Sequence, residues 1–205
     1  RATREKASHD RTPQFSDPAM KRVFDIVFAT LLLLAFSPPM LIIALLIAFG
    51  SRGPVLYWSD RVGIHNRIFK MPKFRTMRTD TPAVATHLLE NPHAYLTPEG
   101  QWLRKYSLDE LPQLWSILEG HMSFVGPRPA LFNQADLIEL RTRKGVHALI
   151  PGITGWAQVN GRDDLPIPVK VQYDEYYLKN RSFLFDLKIL YLTLHKVAVA
   201  DGVRH

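Results

Sequence analysis

The chain has 205 residues, enough for one ordinary domain with a membrane element beside it. It contains no cysteine, which excludes disulfides, thiolate metal sites and a cysteine nucleophile, so any metal must sit on oxygen or imidazole. With 26 lysines and arginines against 19 acids the formal charge is +7, which calls for an anionic partner: lipid headgroups, nucleic acid or a phosphorylated substrate.

Residues 1–20 are polar and aperiodic and read as a flexible tail. Ile26 to Ser51 then carries no charge and is interrupted at its centre by Ser37-Pro38-Pro39. Run straight, it would cross a bilayer core of roughly 30 Å. The prolines offer no N–H to the carbonyls of Leu34 and Ala35, so the sequence predicts that the helix bends or breaks there into two arms, a helix-break-helix, with Ser37 bonding a freed carbonyl. Each arm, about 20 Å long, is too short to cross alone. Lys21 and Arg22 precede the segment and Arg52, Arg61, Arg67 and Lys70 follow it, so both flanks read as cytoplasmic. A re-entrant membrane hairpin over 21–51 satisfies both observations, and 52–205 becomes a compact cytoplasmic catalytic domain.

In that domain Gly53-Pro54 marks a turn, followed by short strands at Val55–Trp58 and Arg67–Lys70. Thr79 to Pro98, with three prolines, reads as a flexible surface flap. Thr97-Pro98 has the form of an N-cap with proline at the first helical position, opening a helix through Tyr106. Ser107-Leu108-Asp109-Glu110 fits a capping box, with a helix to about Leu118 and Gly120 as its stop, although Pro112 distorts its first turn. Val125 to Pro129 is a rigid loop, Leu131 to Arg143 a helix, and Pro151 to Asp164, rich in glycine, a loop. Val169–Leu178 and Ser182–Ala200 are further helices, the last with a broad apolar face and Lys188, His195 and Lys196 among its polar residues, suited to a membrane surface. The fold class is therefore α+β, mostly α, with interfacial amphipathic helices.

The adjacent carboxylates Asp109 and Glu110 are the most suggestive chemical feature. At a helix N-terminus they meet free N–H groups and the positive end of the dipole, a place that also attracts phosphate. Capping alone accounts for Ser107 and Glu110; a nucleophile beside a magnesium ligand accounts for the pair equally. Lys73-Phe74-Arg75 lies in a dense basic stretch suited to phosphates or to anionic lipid. Arg104 lies just before Asp109, and Arg128 is held between Pro127 and Pro129, with little entropy to lose on binding. In Pro151-Gly152-Ile153-Thr154-Gly155-Trp156 the glycines permit close backbone approach, and Trp156 is suited either to stacking on a sugar or base or to the core.

Taken in order, Lys21-Arg22-Val23-Phe24-Asp25, Ser37-Pro38, Lys73-Phe74-Arg75-Thr76-Met77, Ser107 to Leu114, Val125-Gly126-Pro127-Arg128-Pro129 and Pro151 to Arg162 resemble the bacterial sugar transferase family, the monotopic phosphoglycosyl transferases. The resemblance covers about residues 20 to 200. It implies transfer of a sugar 1-phosphate from a UDP-sugar to a polyprenyl phosphate, undecaprenyl phosphate included, with release of UMP. The reaction would take place at the cytoplasmic face of the bacterial inner membrane, as the first step of glycan assembly. By resemblance Asp109 is the nucleophile that takes the phosphosugar covalently, Glu110 with Asp109 holds Mg²⁺, and Arg104, Lys73, Arg75 and Arg128 surround phosphates. Trp156, Gln158 and Asn160 then belong to a substrate loop. Two positions depart from the family: Met71-Pro72 replaces its usual hydrophobic-aromatic pair, and Ile150 stands where arginine is frequent. The competing readings are a non-catalytic basic adaptor on the membrane surface and a nucleic-acid binder. The latter lacks interleaved exposed aromatics and leaves the apolar hairpin unexplained.

Overall fold

The computed structural model describes residues 18–82, 91–161 and 165–198. The tail before Pro18, the middle of the expected flap (83–90), residues 162–164 and the last residues of the final predicted helix lie outside the described residues. The described part is mostly helical with a few short strands. In chain order come α1 (Pro18–Gly50), β1 (Leu56–Val62), β2 (Ile68–Phe74), α2 (Pro98–Lys105), α3 (Gln113–Glu119), β3 (Ser123–Val125) and α4 (Ala135–Arg143). They are followed by β4 (Gly152–Thr154), α5 (Trp156–Gly161), α6 (Ile167–Asn180) and α7 (Phe183–Ala198).

The predicted break at Ser37-Pro38-Pro39 is not a break. α1 runs helical through both prolines. Proline at Pro38 removes the donor that Leu34 would otherwise receive, and the Ser37 hydroxyl donates to that carbonyl at 2.9 Å, replacing the missing bond locally. The two ends of α1 pack, and its middle does not. Asp25 and Ala29 are buried in the first arm, Ile43 and Ile47 in the second, while Leu34 to Pro39 are exposed. Lys21 and Arg22, expected as a cytoplasmic flank of the apolar segment, are bonded into the fold. Lys21 Nζ donates to Asp186 and to the Val125 carbonyl, and the Arg22 guanidinium to the carbonyls of Ile117 and Leu118 at the end of α3.

β1 and β2 form an antiparallel pair with Leu56 opposite Phe74 and Val62 opposite Ile68. Both strands are longer than predicted and Pro72 sits within β2 opposite Trp58. In a two-stranded ribbon each strand is an edge, so a missing N–H can face outwards without breaking a ladder. The segment after Pro151, predicted as loop, supplies β4 and α5. β4 pairs in parallel with β3, and the Gly152 N–H donates to the Pro127 carbonyl at 3.0 Å. The glycines here serve chain crossing: a Cβ at Gly152 would lie 2.1 Å from the Gly126 nitrogen, and one at Gly155 2.1 Å from the Gly126 oxygen. α4 starts four residues later than predicted because Leu131 to Gln134 closes a turn, with the Gln134 side chain accepting from the Leu131 N–H at 2.9 Å.

The main core joins Phe69 and Met71 of β2, Leu114 and Ile117 of α3, Phe124 and Val125 of β3, and Val159, Tyr177 and Ile189 of α5, α6 and α7. A second cluster seats the far arm of α1 on the domain through Ile43, Ile47, Phe74 and Leu103. Each buried isoleucine contributes about 1.5–3 kcal/mol to that seat.

Candidate active site

Asp109 and Glu110 occupy a single 3₁₀ turn, Leu108–Glu110, between α2 and α3. The capping box does not form. Ser107 adopts a left-handed backbone (φ 55) and its side chain makes no cap bond. Pro112, lacking an N–H, becomes the N-cap of α3, so the α-helical ladder starts only at Gln113. Gly120, at φ 86, ends α3 as the sequence indicated, and Thr97 caps α2 by accepting from the Gly100 N–H at 3.1 Å.

With its capping role gone, Glu110 turns to two cations. Lys73 Nζ on β2 stands 2.7 Å from Glu110 Oε1, and Arg128 Nη2 stands 2.9 Å from the same oxygen. Lys73 Nζ lies 4.0 Å from Asp109 Oδ2. Arg104 on α2 donates from Nε to the Thr76 hydroxyl at 2.9 Å and lies within electrostatic reach of both carboxylates. The structure thus brings Asp109, Glu110, Lys73, Arg104 and Arg128 together. Thr76 was missed by sequence reasoning, although it adjoins the basic run.

Arg75 does not join that group. It is 5% exposed, and its guanidinium donates to the carbonyls of Arg52 at 2.7 Å and Ser51 at 2.9 Å, clasping the chain where α1 ends. Nor do the three substrate-loop residues. The Asp109 turn packs on α2 and β2, while α5 packs on α6 and α7. The Trp156 ring lies against Tyr176 at 6.0 Å and Phe185 at 5.0 Å, with Lys188 Nζ over it. The half-buried ring packs against the core and also lines a cleft with Val169, Gln172, Tyr173 and Tyr176, away from the Asp109 turn. Asn160 donates to the Trp156 carbonyl within α5, and both amide atoms of Gln158 are buried without a partner among the described residues.

The two carboxylates are pushed apart electrostatically. Burial raises Asp109 above the usual carboxylate range, with Glu110 adding to the effect and Lys73 opposing it. Burial acts in the same sense on Glu110, but Arg128 and Lys73 outweigh it and hold that carboxyl well below the usual range. One acid is thus a fixed anion and its neighbour is a costly one, the division that separates roles in acid and nucleophile chemistry. Among the described residues no group of three or more His, Cys, Asp or Glu side chains could hold a metal. Two adjacent carboxylates nevertheless fit Mg²⁺, which characteristically takes one or two carboxylates and completes its shell with waters and substrate phosphates.

Residues 16–200 match the model of a family described as bacterial sugar transferase. The chain is 42% identical over 187 residues to an uncharacterized sugar transferase, EpsL, of Bacillus subtilis, with 90% of each protein covered. It is 41% identical over 197 residues to an undecaprenyl-phosphate glucose phosphotransferase of Komagataeibacter xylinus, covering 88% of this chain and 36% of that protein. It is likewise 41% identical over 187 residues to a UDP-glucose:undecaprenyl-phosphate glucose-1-phosphate transferase of Escherichia coli, covering 86% of this chain and 40% of that one.

Proposed function

The chain belongs to the bacterial sugar transferase family, and from that premise we propose that it moves a sugar 1-phosphate from a UDP-sugar to a polyprenyl phosphate through a phosphosugar carried on Asp109. The relatives named for undecaprenyl-phosphate chemistry support the acceptor and the reaction class. The observation that carries the mechanism is a buried, electrostatically disfavoured Asp109 beside a Glu110 pinned between Lys73 and Arg128. A non-catalytic adaptor gives no reason to bury Asp109.

In the first step an oxygen of ionised Asp109 attacks the phosphorus that bears the sugar. A new P–O bond forms, the bond to the bridging oxygen breaks, and UMP leaves with that electron pair. In the second step a phosphate oxygen of the lipid attacks the same phosphorus, the bond to Asp109 breaks, and the carboxylate is regenerated with the sugar on a polyprenyl diphosphate. Lys73, Arg104 and Arg128 bind the non-bridging oxygens and neutralise charge as it shifts. Asp109 and Glu110 would hold Mg²⁺, which supplies Lewis-acid neutralisation of the diphosphate when bound. Departure of UMP before lipid attack gives ping-pong kinetics. Intact-protein mass spectrometry after incubation with a UDP-sugar panel and Mg²⁺ tests the reading: a phosphosugar adduct appears on the parent and not on Asp109→Asn. Ternary-complex kinetics without an adduct would sink it.

A re-entrant α1 at the cytoplasmic face of the bacterial inner membrane belongs to the same reading. α1 is apolar enough to enter a bilayer. Both its ends are bonded to one body: Arg22 to the carbonyls of Ile117 and Leu118, and Ser51 to Glu99 at 2.9 Å and to Arg75. A full crossing would place those two ends on opposite sides of the membrane, so their bonding to one body supports an α1 that bends around Pro38-Pro39 while its helical assignment continues, with the exposed middle dipping into the bilayer and returning. The exposed Leu184, Leu187, Tyr191 and Leu194 of α7 then lie at the interface, beside Phe183, whose ring meets Phe24 of α1. Single cysteines at positions 20 and 60 both shielded from a periplasmic thiol reagent are expected; labelling of one alone would rule the hairpin out.

A further inference from the structure

Arg128 reaches Glu110 from a loop whose three successive carbonyls are each held by a donor from a different element. The Gly152 N–H of β4 donates to the Pro127 carbonyl at 3.0 Å, Arg141 Nη1 of α4 to the Arg128 carbonyl at 2.8 Å, and Arg61 Nη1 of β1 to the Pro129 carbonyl at 3.1 Å. The middle donor is the unusual one. Arg141 is 8% exposed and Asp174 of α6 is 1% exposed. Arg141 Nε and Nη2 both donate to Asp174 Oδ2, at 2.9 and 2.7 Å. Two faces of one planar guanidinium are thereby used, one to fix its orientation against α6 and one to grip the backbone of Arg128.

A buried ion pair is a poor device for stability, since apolar residues of similar volume would fill the same space at no desolvation cost. What this pair supplies is direction. α4 carries it on the face of Leu137, one turn earlier, which is buried at 4% in an otherwise apolar cluster with Ala130 and Val171. Removing the guanidinium leaves the Arg128 carbonyl without that donor and leaves the side chain of Arg128 pivoting about a looser backbone. Displacements of about 1 Å at a charge-stabilising group are enough to cost on the order of 10²-fold in rate.

We propose that Arg141, locked by Asp174, is the positioning residue that sets where the Arg128 guanidinium stands over the Asp109–Glu110 turn; the inference rests on the phosphoglycosyl transfer reading above. Arg141→Lys keeps a cation opposite Asp174, but a compact ammonium lacks the fork that serves Asp174 and the Arg128 carbonyl at once. UMP release is measured for Arg141→Lys on the parent and on an Arg128→Ala background, each at a temperature where melting shows the protein folded. The expected loss is about 10- to 100-fold in kcat with parental Arg128 and less than about threefold once Arg128 is absent, because the effect acts through that side chain. Equal fold losses in both backgrounds would overturn the proposal in favour of a merely structural pair. A crystal structure of Arg141→Lys gives an arm independent of turnover: the 2.9 Å contact of Arg128 Nη2 with Glu110 Oε1 is expected to be lost, and its retention would overturn the proposal. A parent protein that releases no UMP with any donor would fail the transfer reading, and the structural arm would then decide the positioning by itself.

Discussion

Two buried ionic clusters in this protein use the same side-chain types to opposite ends. Where α1 meets α6 and α7, Lys21 Nζ donates to Asp186 Oδ2 at 2.5 Å and to the Val125 carbonyl at 3.0 Å, and the Tyr177 hydroxyl donates to Asp186 Oδ1 at 2.7 Å. Cation, anion and hydroxyl answer one another, and burial together with Asp186 keeps the Tyr177 phenol far above its usual ionisation range. Around the Asp109 turn, by contrast, Lys73, Arg104 and Arg128 converge on two carboxylates, yet burial leaves Asp109 disfavoured as an anion against their pull. The first cluster is closed and fixes geometry. The second sets three cations around two acids among the described residues, a grouping of charge suited to a diphosphate.

The sharpest way to break this contrast is Asp109→Asn. UMP release should fall by about 10⁴-fold or more, as for loss of a covalent nucleophile. Stability should move the other way. Because burial raises the native carboxyl, the folded state holds its proton more tightly than the unfolded chain, and stability falls as pH rises through that raised value. Above that raised value the penalty is fully present, so there removing the charge should raise Tm in thermal melting. A lowered Tm would place Asp109 in the closed class.

Glu110→Gln should cost on the order of 10²- to 10³-fold in UMP release, since Lys73 and Arg128 lose their shared anion. Titration with Mg²⁺ should show a weaker dependence on the metal in the variant. Asp186→Asn belongs to the other cluster and should behave inversely. Loss of the anion opposite Lys21 should destabilise by about 3 kcal/mol in urea titration, with kcat of the folded fraction unchanged.

A smaller effect is the acid limb of the first half-reaction. Asp109 must be ionised to attack, so adduct formation should fall off at a pH above the ordinary aspartate range, and Lys73→Met should move that limb higher still by removing a cation that favours the anion. The smallest expected change is Ser37→Ala, which frees the Leu34 carbonyl at a cost of about 1 kcal/mol or less in the melting of detergent-solubilised protein.

What sequence decided here was local. Thr97-Pro98 opens α2 and Gly120 closes α3 because caps and left-handed stops depend on residues within one turn. The apolar run of α1, the adjacent acids and the ordered motifs were legible for the same reason: each is a property of neighbours along the chain. Tertiary structure decided what the charges do. Lys73 and Arg75 lie two apart, so a strand period would place them on one side, yet one grips Glu110 and the other the carbonyls that follow α1. Ser107 and Glu110 match a capping box letter by letter, but Lys73 and Arg128 offer Glu110 full charges where the cap offers one N–H. Nothing within one turn of Arg141 marks it as buried; Asp174, from another helix, meets it in the core. A long-range ion pair depends on which elements pack together, and no window of neighbouring residues contains that information.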